Sequence, residues 1–362
     1  MKICLVAPVP PPYGGISNWT KMLLENTDSC IASYSCVNTA PAKRVEVGKD
    51  YLYRIVASGI SMFRIKRELC NILKKEASDV IHMTTSGSLA AIRDILLLRV
   101  AKRKHIPTVY HIRFGRIKEI SDANTMEWRL IAHAMRIASE VIVIDETTYK
   151  TVKEKLPDVN VINIPNPVCI RELPTGVVSK EKTITYLGWV IKTKGIEELL
   201  VAWKSLHENH KEYRLQLIGP SKLEYMDYLH EHFSFDGVEY IGERTHNEAM
   251  SLVANSELFI LPSYTEGFPN VIVEAMAMSK PIVASAVGAI PDILSENCGI
   301  VIEPKKADEI EKALIALINS KDMRETLSNN ARRKAAKCYD FEPVFSKYVD
   351  AWSIAIALEN RV

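Results

Sequence analysis

Short β-branched runs alternate with longer amphipathic segments along most of the chain. In the first half, 2-KICLVA-7, 79-DVIHMT-84, 107-PTVYHI-112 and 141-VIVID-145 predict strands. Between them, 16-ISNWTKMLLENT-27, 60-ISMFRIKRELCNILKKEA-77, 88-SLAAIRDILLLRVAKRK-104 and 125-TMEWRLIAHAMRIAS-139 carry apolar residues at helical spacing. Alternation of this kind implies a mostly parallel sheet covered by helices.

The stretch 160-NVINIPNPVCIRELPTGVVSKEK-182 interrupts the rhythm with three prolines and a glycine, and is the best linker candidate. The alternation then restarts: strands at 183–188, 213–219, 238–242, 258–263 and 281–285, and helices at 195–209, 223–233, 246–256 and 270–279. The pattern predicts an α/β protein of two doubly wound, Rossmann-like domains, 1–167 and 168–340. A final amphipathic segment, about 341–362, is long enough to pack across the domain boundary.

A length of 362 residues agrees with two domains. No uncharged apolar stretch reaches the ~18 residues that a membrane span needs. The opening MKICLVAPVPPPYGG reads as a first strand and loop, not as a signal peptide. Seven scattered cysteines without a C-x-x-C pair argue against a zinc site or a disulfide framework, and fit a reducing cytoplasm. The net charge of +2 hides an asymmetry: residues 1–165 hold 24 Lys+Arg against 16 Asp+Glu, or +8, and the remainder is −6. Arg64, Lys66, Arg67, Arg99, Lys102, Arg103 and Lys104 carry much of the excess, which suits either solvated helix faces or an anionic membrane or phosphate surface.

Four loops at expected strand ends hold candidate chemistry. Gly14 and Gly15 open the first helix with exposed amides, an anion site or plain turn chemistry. They lack the G-x-G-x-x-G spacing of a dinucleotide site, which disfavours a dehydrogenase. Lys194, just before Gly195 at a helix start, suits a phosphate or is an exposed loop lysine. His111 ends a strand, where a satisfied core histidine is the commoner finding. With Arg113 on the same side, it is also placed to meet a phosphate or sugar oxygen. In 265-TEGFPNVIVEAMA-277, Glu266 and Glu274 flank the start of one helix. Helix amides attract an anion while two carboxylates repel one. A ligand with both phosphates and vicinal hydroxyls, such as a nucleotide sugar, reconciles the two.

The motif E-G-F-P-N-x-x-x-E after a strand, with 281-PIVASAVGAIPDIL-294, resembles the retaining glycosyltransferases of family 4, which have the GT-B fold. Supporting features are the Gly-Gly loop, 79-DVIHMTTSGS-88, 163-NIPNPV-168 and 183-TITYLGWVIKTKG-195, so the likeness runs nearly end to end. The resemblance implies two domains facing across a cleft and a donor nucleotide held mainly by the second. On this chain Glu274 would take the ribose hydroxyls and Glu266 the transferred sugar. The amides of Gly14, Gly15, Gly267, Phe268 and Asn270, with Pro269 between, would surround phosphates and sugar. Lys194 would neutralise the leaving diphosphate, His111 would bond to the donor sugar on the acceptor side, and Ile241 and Gly242 would meet the base. Where such enzymes usually carry an arginine, this chain has Trp189, with Lys192 as the candidate replacement.

The expectation is a cytoplasmic, metal-independent hexosyltransferase without a cofactor, building a cell-surface polysaccharide. It would act on a nucleotide sugar and a glycan or polyprenyl-linked acceptor, rest on anionic lipid through the basic first half, and engage no nucleic acid. The absence of any D-x-D argues against a metal-bridged diphosphate. A nucleotide-sugar 2-epimerase and a catalytically weak nucleotide-sugar-binding subunit are the alternatives.

Overall fold

The computed structural model describes residues 1–11, 14–40, 51–88, 90–175 and 182–359, with only the backbone described at 51–58 and 60. The chain divides into two compact units, Met1–Asn166 with Val344–Val362, and Pro167–Pro343.

The first unit holds six parallel strands: β1 (Lys2–Ala7), β2 (Ser33–Asn38), β3 (Val80–Thr85), β4 (Thr108–Ile112), β5 (Glu140–Val143) and β6 (Val161–Asn163). Their order in the sheet is β2-β1-β3-β4-β5-β6. Every residue of β3, β4 and β5 is buried, because helices cover both faces of a parallel sheet and strands there need no polar side. Two of its helices begin where a side chain satisfies an orphan amide. Thr125 accepts from the Trp128 amide, and Asp145 accepts from the Thr148 amide.

The second unit repeats the plan with β7 (Lys182–Leu187), β8 (Tyr213–Ile218), β9 (Val238–Gly242), β10 (Leu258–Leu261), β11 (Ile282–Ser285) and β12 (Ile300–Ile302). The order is β12-β11-β10-β7-β8-β9, again all parallel. Counted from β7 it is the 3-2-1-4-5-6 arrangement of a dinucleotide-binding fold. Its core runs through Tyr186, Trp203, Leu215, Phe259, Ile272 and Val283, each essentially inaccessible to solvent.

Three strands lie outside the expected set. SYSCVN forms β2, the short β12 follows Gly299, and β6 occupies the start of the segment read as linker. The end of that segment, 176–181, lies outside the described residues, as do Pro12 and Tyr13 of the first loop. The helix expected from residue 60 begins at Tyr51. Among the described residues no helix is long and apolar enough to cross a membrane.

Candidate nucleotide-sugar site

In the second sheet the strand order reverses between β7 and β10, so loops from their carboxyl ends diverge and leave a crevice. From β7 the chain runs through a 3-10 turn, Lys192–Lys194, into the helix Ile196–Asn209. From β10 it passes Glu266 and enters the helix Asn270–Ala277. The Tyr264 amide donates to the Thr193 carbonyl at 2.9 Å, tying the two loops together. Gly195 makes the approach possible: it sits at φ +71°, and a Cβ there would lie 2.0 Å from the Pro262 carbonyl oxygen.

Between these loops Lys194 Nζ meets Glu266 Oε1 at 2.6 Å, and Ser263 Oγ donates to the same oxygen at 2.7 Å. Side-chain exposures of 23% for Lys194 and 13% for Glu266 leave both reachable by a ligand. The loop after β11 supports Glu266 from below. The Ala289 amide donates to the Gly267 carbonyl at 2.9 Å, and Gly288, at φ +55°, lies where a Cβ would come within 2.3 Å of the Glu266 carbonyl oxygen.

Glu274 stands in the second turn of the helix Asn270–Ala277 and is buried. Its Oε1 pairs at 2.8 Å with His246 Nε2. His246 opens the helix His246–Asn255, held by a reciprocal Thr245–Glu248 capping box. The hydrogen bond to Glu274 raises the His246 pKa above the ordinary value of 6.5, against the lowering effect of burial. His246 was absent from the sequence-based set. The available signal was its place in T-H-N-E, a helix start just beyond β9.

Phe268 packs against Tyr339 with ring centroids 6.0 Å apart, and Pro269 is the buried residue before the helix that begins at Asn270. Ile241 and Gly242 end β9, where the Gly242 carbonyl accepts from the Gly219 amide at 2.9 Å. Trp189 is 57% exposed. Lys192, the candidate replacement charge, pairs with the largely buried Glu197 at 3.2 Å and keeps 65% of its own side chain exposed. Among the described residues no group of three or more His, Cys, Asp or Glu side chains is gathered as metal ligands would be.

In the first unit, Gly14 and Gly15 start the helix Gly15–Asn26 after β1, and Gly14 forms no side-chain cap. The β3–β4 register sets His82 opposite Val109 and His111 opposite Thr84, so both imidazoles leave one face of the sheet. Trp19 of that first helix and Tyr348 and Trp352 of the helix Phe341–Glu359 pack over them. His111 is therefore fully buried, one buried step from Arg113, with Nε2 3.4 Å from the arginine Nη1. Burial, then the Arg113 charge, hold its pKa well below 6.5. Of the seven basic residues, all but the half-buried Lys66 are exposed, on or just after the helices Tyr51–Lys75 and Ala90–Lys102.

Residues 174–334 match the family model of glycosyl transferases group 1. The matched segment contains Lys194, His246, Glu266 and Glu274. Over 169 residues, 45% of this chain and 44% of the relative, the chain is 27% identical to the capsular polysaccharide biosynthesis glycosyltransferase CapM of Staphylococcus aureus. The chain spans about half the length of the curated relatives it matches. Among solved structures, sucrose-phosphate synthase of Thermosynechococcus elongatus aligns with a TM-score of 0.78 at 17% identity, covering 98% of this chain and 99% of that one. HepE of Anabaena, solved with UDP, aligns at 0.72 and 17% identity, covering 98% of this chain and all of that one. The fold is thus GT-B in type, with two Rossmann-like domains in one chain.

Proposed function

We propose that this protein is a retaining glycosyltransferase that moves a hexose-type sugar from a nucleotide diphosphate donor to a glycan or polyprenyl-linked acceptor during cell-surface polysaccharide synthesis. The observation that carries the reading is the cluster at the β7/β10 switch point. Lys194 and Glu266 pair there at 2.6 Å, four residues before a helix start, inside the segment that matches the glycosyl transferases group 1 model. The capsular and UDP-bound relatives support the choice of pathway class and donor type.

In this reading the Glu274 carboxylate accepts hydrogen bonds from the ribose diol, with His246 fixing its orientation. Lys194 exchanges Glu266 for the diphosphate as negative charge develops on the leaving group, which is electrostatic stabilisation by a charge already in place. Glu266, released from the lysine, accepts from hydroxyls of the transferred sugar. The amides of Gly267, Phe268 and Asn270 add the positive end of their helix. The acceptor hydroxyl attacks the anomeric carbon from the face the diphosphate leaves, and a leaving-group oxygen takes its proton. The basic helices of the first unit would hold the enzyme on anionic lipid.

The test is incubation of the protein with nucleotide sugars and a lipid-linked acceptor, with and without EDTA. Product with the donor's anomeric configuration, formed equally in EDTA, is expected. Conversion of the donor to an isomer without acceptor would replace the reading with an epimerase.

A further inference from the structure

The face of the first sheet around His111 carries more hydrogen-bond donors than acceptors. Trp352 Nε1–H donates to His82 Nδ1 at 2.9 Å, and His82 Nε2 lies 3.1 Å from His111 Nδ1. An indole nitrogen is a donor only, so His82 Nδ1 must be bare and His82 Nε2 must carry the proton. That proton is given to His111 Nδ1, which leaves the proton of a neutral His111 on Nε2. A second proton on either ring would set two N–H groups against each other. Burial agrees, since it holds both imidazoles neutral.

At the far end His111 Nε2–H faces Arg113 Nη1, another donor, at 3.4 Å. The Trp352 contact has hydrogen-bond length and the arginine contact is longer than normal, so the chain is oriented from the tryptophan end. His111 therefore offers Arg113 nothing to bond. The guanidinium lies over the Trp19 ring at 4.5 Å and finds the Tyr348 hydroxyl, which already accepts from Trp19 Nε1–H at 3.1 Å. Arg113 Nε is buried without a partner, and Thr84 Oγ1 on the same sheet face is too. Among the described residues no carboxylate pairs with this cation, whose residue is only 9% exposed. A buried charge without a counterion is costly. Trp19 stands about one turn, ~6 Å of rise, into the helix Gly15–Asn26, whose first residue follows Gly14 without a side-chain cap.

We propose that Arg113 and His111 Nε2–H form a subsite for a phosphate-type oxyanion borne by the acceptor, and that Trp352, acting through His82, is the positioning residue that keeps His111 a donor. An oxygen about 2.9 Å from each nitrogen accepts from both and supplies the missing negative charge. The donor set in the second unit is separate, so only the assignment to an acceptor rests on the transferase reading.

The test uses the full chain with 15N-histidine labels, read by long-range proton–nitrogen spectra. Both histidines should show a bare Nδ1 and a protonated Nε2 in the wild type, and Trp352→Phe should invert both tautomers. Inorganic phosphate should shift the His111 Nε2 signal, with affinity lowered roughly 10- to 100-fold in Arg113→Gln. Glycerol 3-phosphate should act like phosphate, and should still do so in Glu274→Ala. A wild-type His111 with its proton on Nδ1 would overturn the proposal without any variant, because Arg113 would then have its acceptor. A phosphate response indifferent to Arg113→Gln would overturn the subsite. A response to UDP alone, lost in Glu274→Ala, would give the oxyanion to the donor instead. If no nucleotide acts on the wild type but phosphate still shifts His111, the transferase reading fails and the subsite stands.

Discussion

Lys194→Ala removes the cation paired with Glu266 and, in the proposed mechanism, the charge that meets the leaving diphosphate. At ~4 Å two unit charges interact by about 4 kcal/mol at an effective dielectric of roughly 20. Lys194 keeps about a quarter of its side chain in solvent, so the lost transition-state stabilisation should be about 2–4 kcal/mol. That predicts a fall in kcat/KM of roughly 30- to 1000-fold. Stability should change less, because Glu266 keeps the Ser263 hydroxyl and gains water. The assay is steady-state release of nucleoside diphosphate beside a urea melt, with Glu266→Gln and the double variant completing a cycle. Lys194→Arg should recover part of the rate. A loss of activity under about threefold, or one that merely follows the melt, would refute a role for this charge at the leaving group.

Three further outcomes follow from the geometry. Gly288→Ala places a Cβ against the Glu266 carbonyl at a left-handed φ and should cost about 2 kcal/mol or more in a urea melt while weakening nucleotide binding. His246 has its pKa raised by Glu274, so the pair's contribution is full below about pH 6.5 and lost as pH rises through the raised value. The Tm advantage of wild type over His246→Gln, followed from pH 5 to 9, should shrink in that direction; an advantage growing with pH would contradict the pairing. Reversing Arg64, Arg67, Arg99 and Lys102 to glutamate should abolish sedimentation with anionic vesicles and leave neutral vesicles unaffected, and unchanged sedimentation would remove the membrane role.

The strands buried on both faces were legible because 141-VIVID-145 or 258-LFILPS-263 can only be parallel core strands in such an alternation. SYSCVN was not, since β2 is an edge strand with one fully buried residue and no β-branched run. Glu266 and Glu274 stood out because two carboxylates at one helix start are electrostatically odd. Lys194 stood out at its own helix start, but not as the partner of Glu266, 72 residues away, and His246, 28 residues from Glu274, did not stand out at all. The burial of His111 depends on Trp19 and on Tyr348 of the last helix, whose Trp352 bonds to His82 from 270 residues away, and only the packing of that helix creates these contacts. Local pattern thus reports which strand end a residue occupies, whereas the side chain that closes over it comes from distant sequence.

The most direct measurement is thermal stabilisation by UDP, GDP, ADP and their common sugar conjugates, each on the wild type and on Glu274→Ala. A ligand at 100 times its Kd should add about 2.7 kcal/mol of stability. One base should raise the wild-type Tm, and its effect should vanish in Glu274→Ala. No shift with any nucleotide at millimolar concentration, or an equal shift in both proteins, would contradict the assignment of the switch-point cluster to a nucleotide sugar.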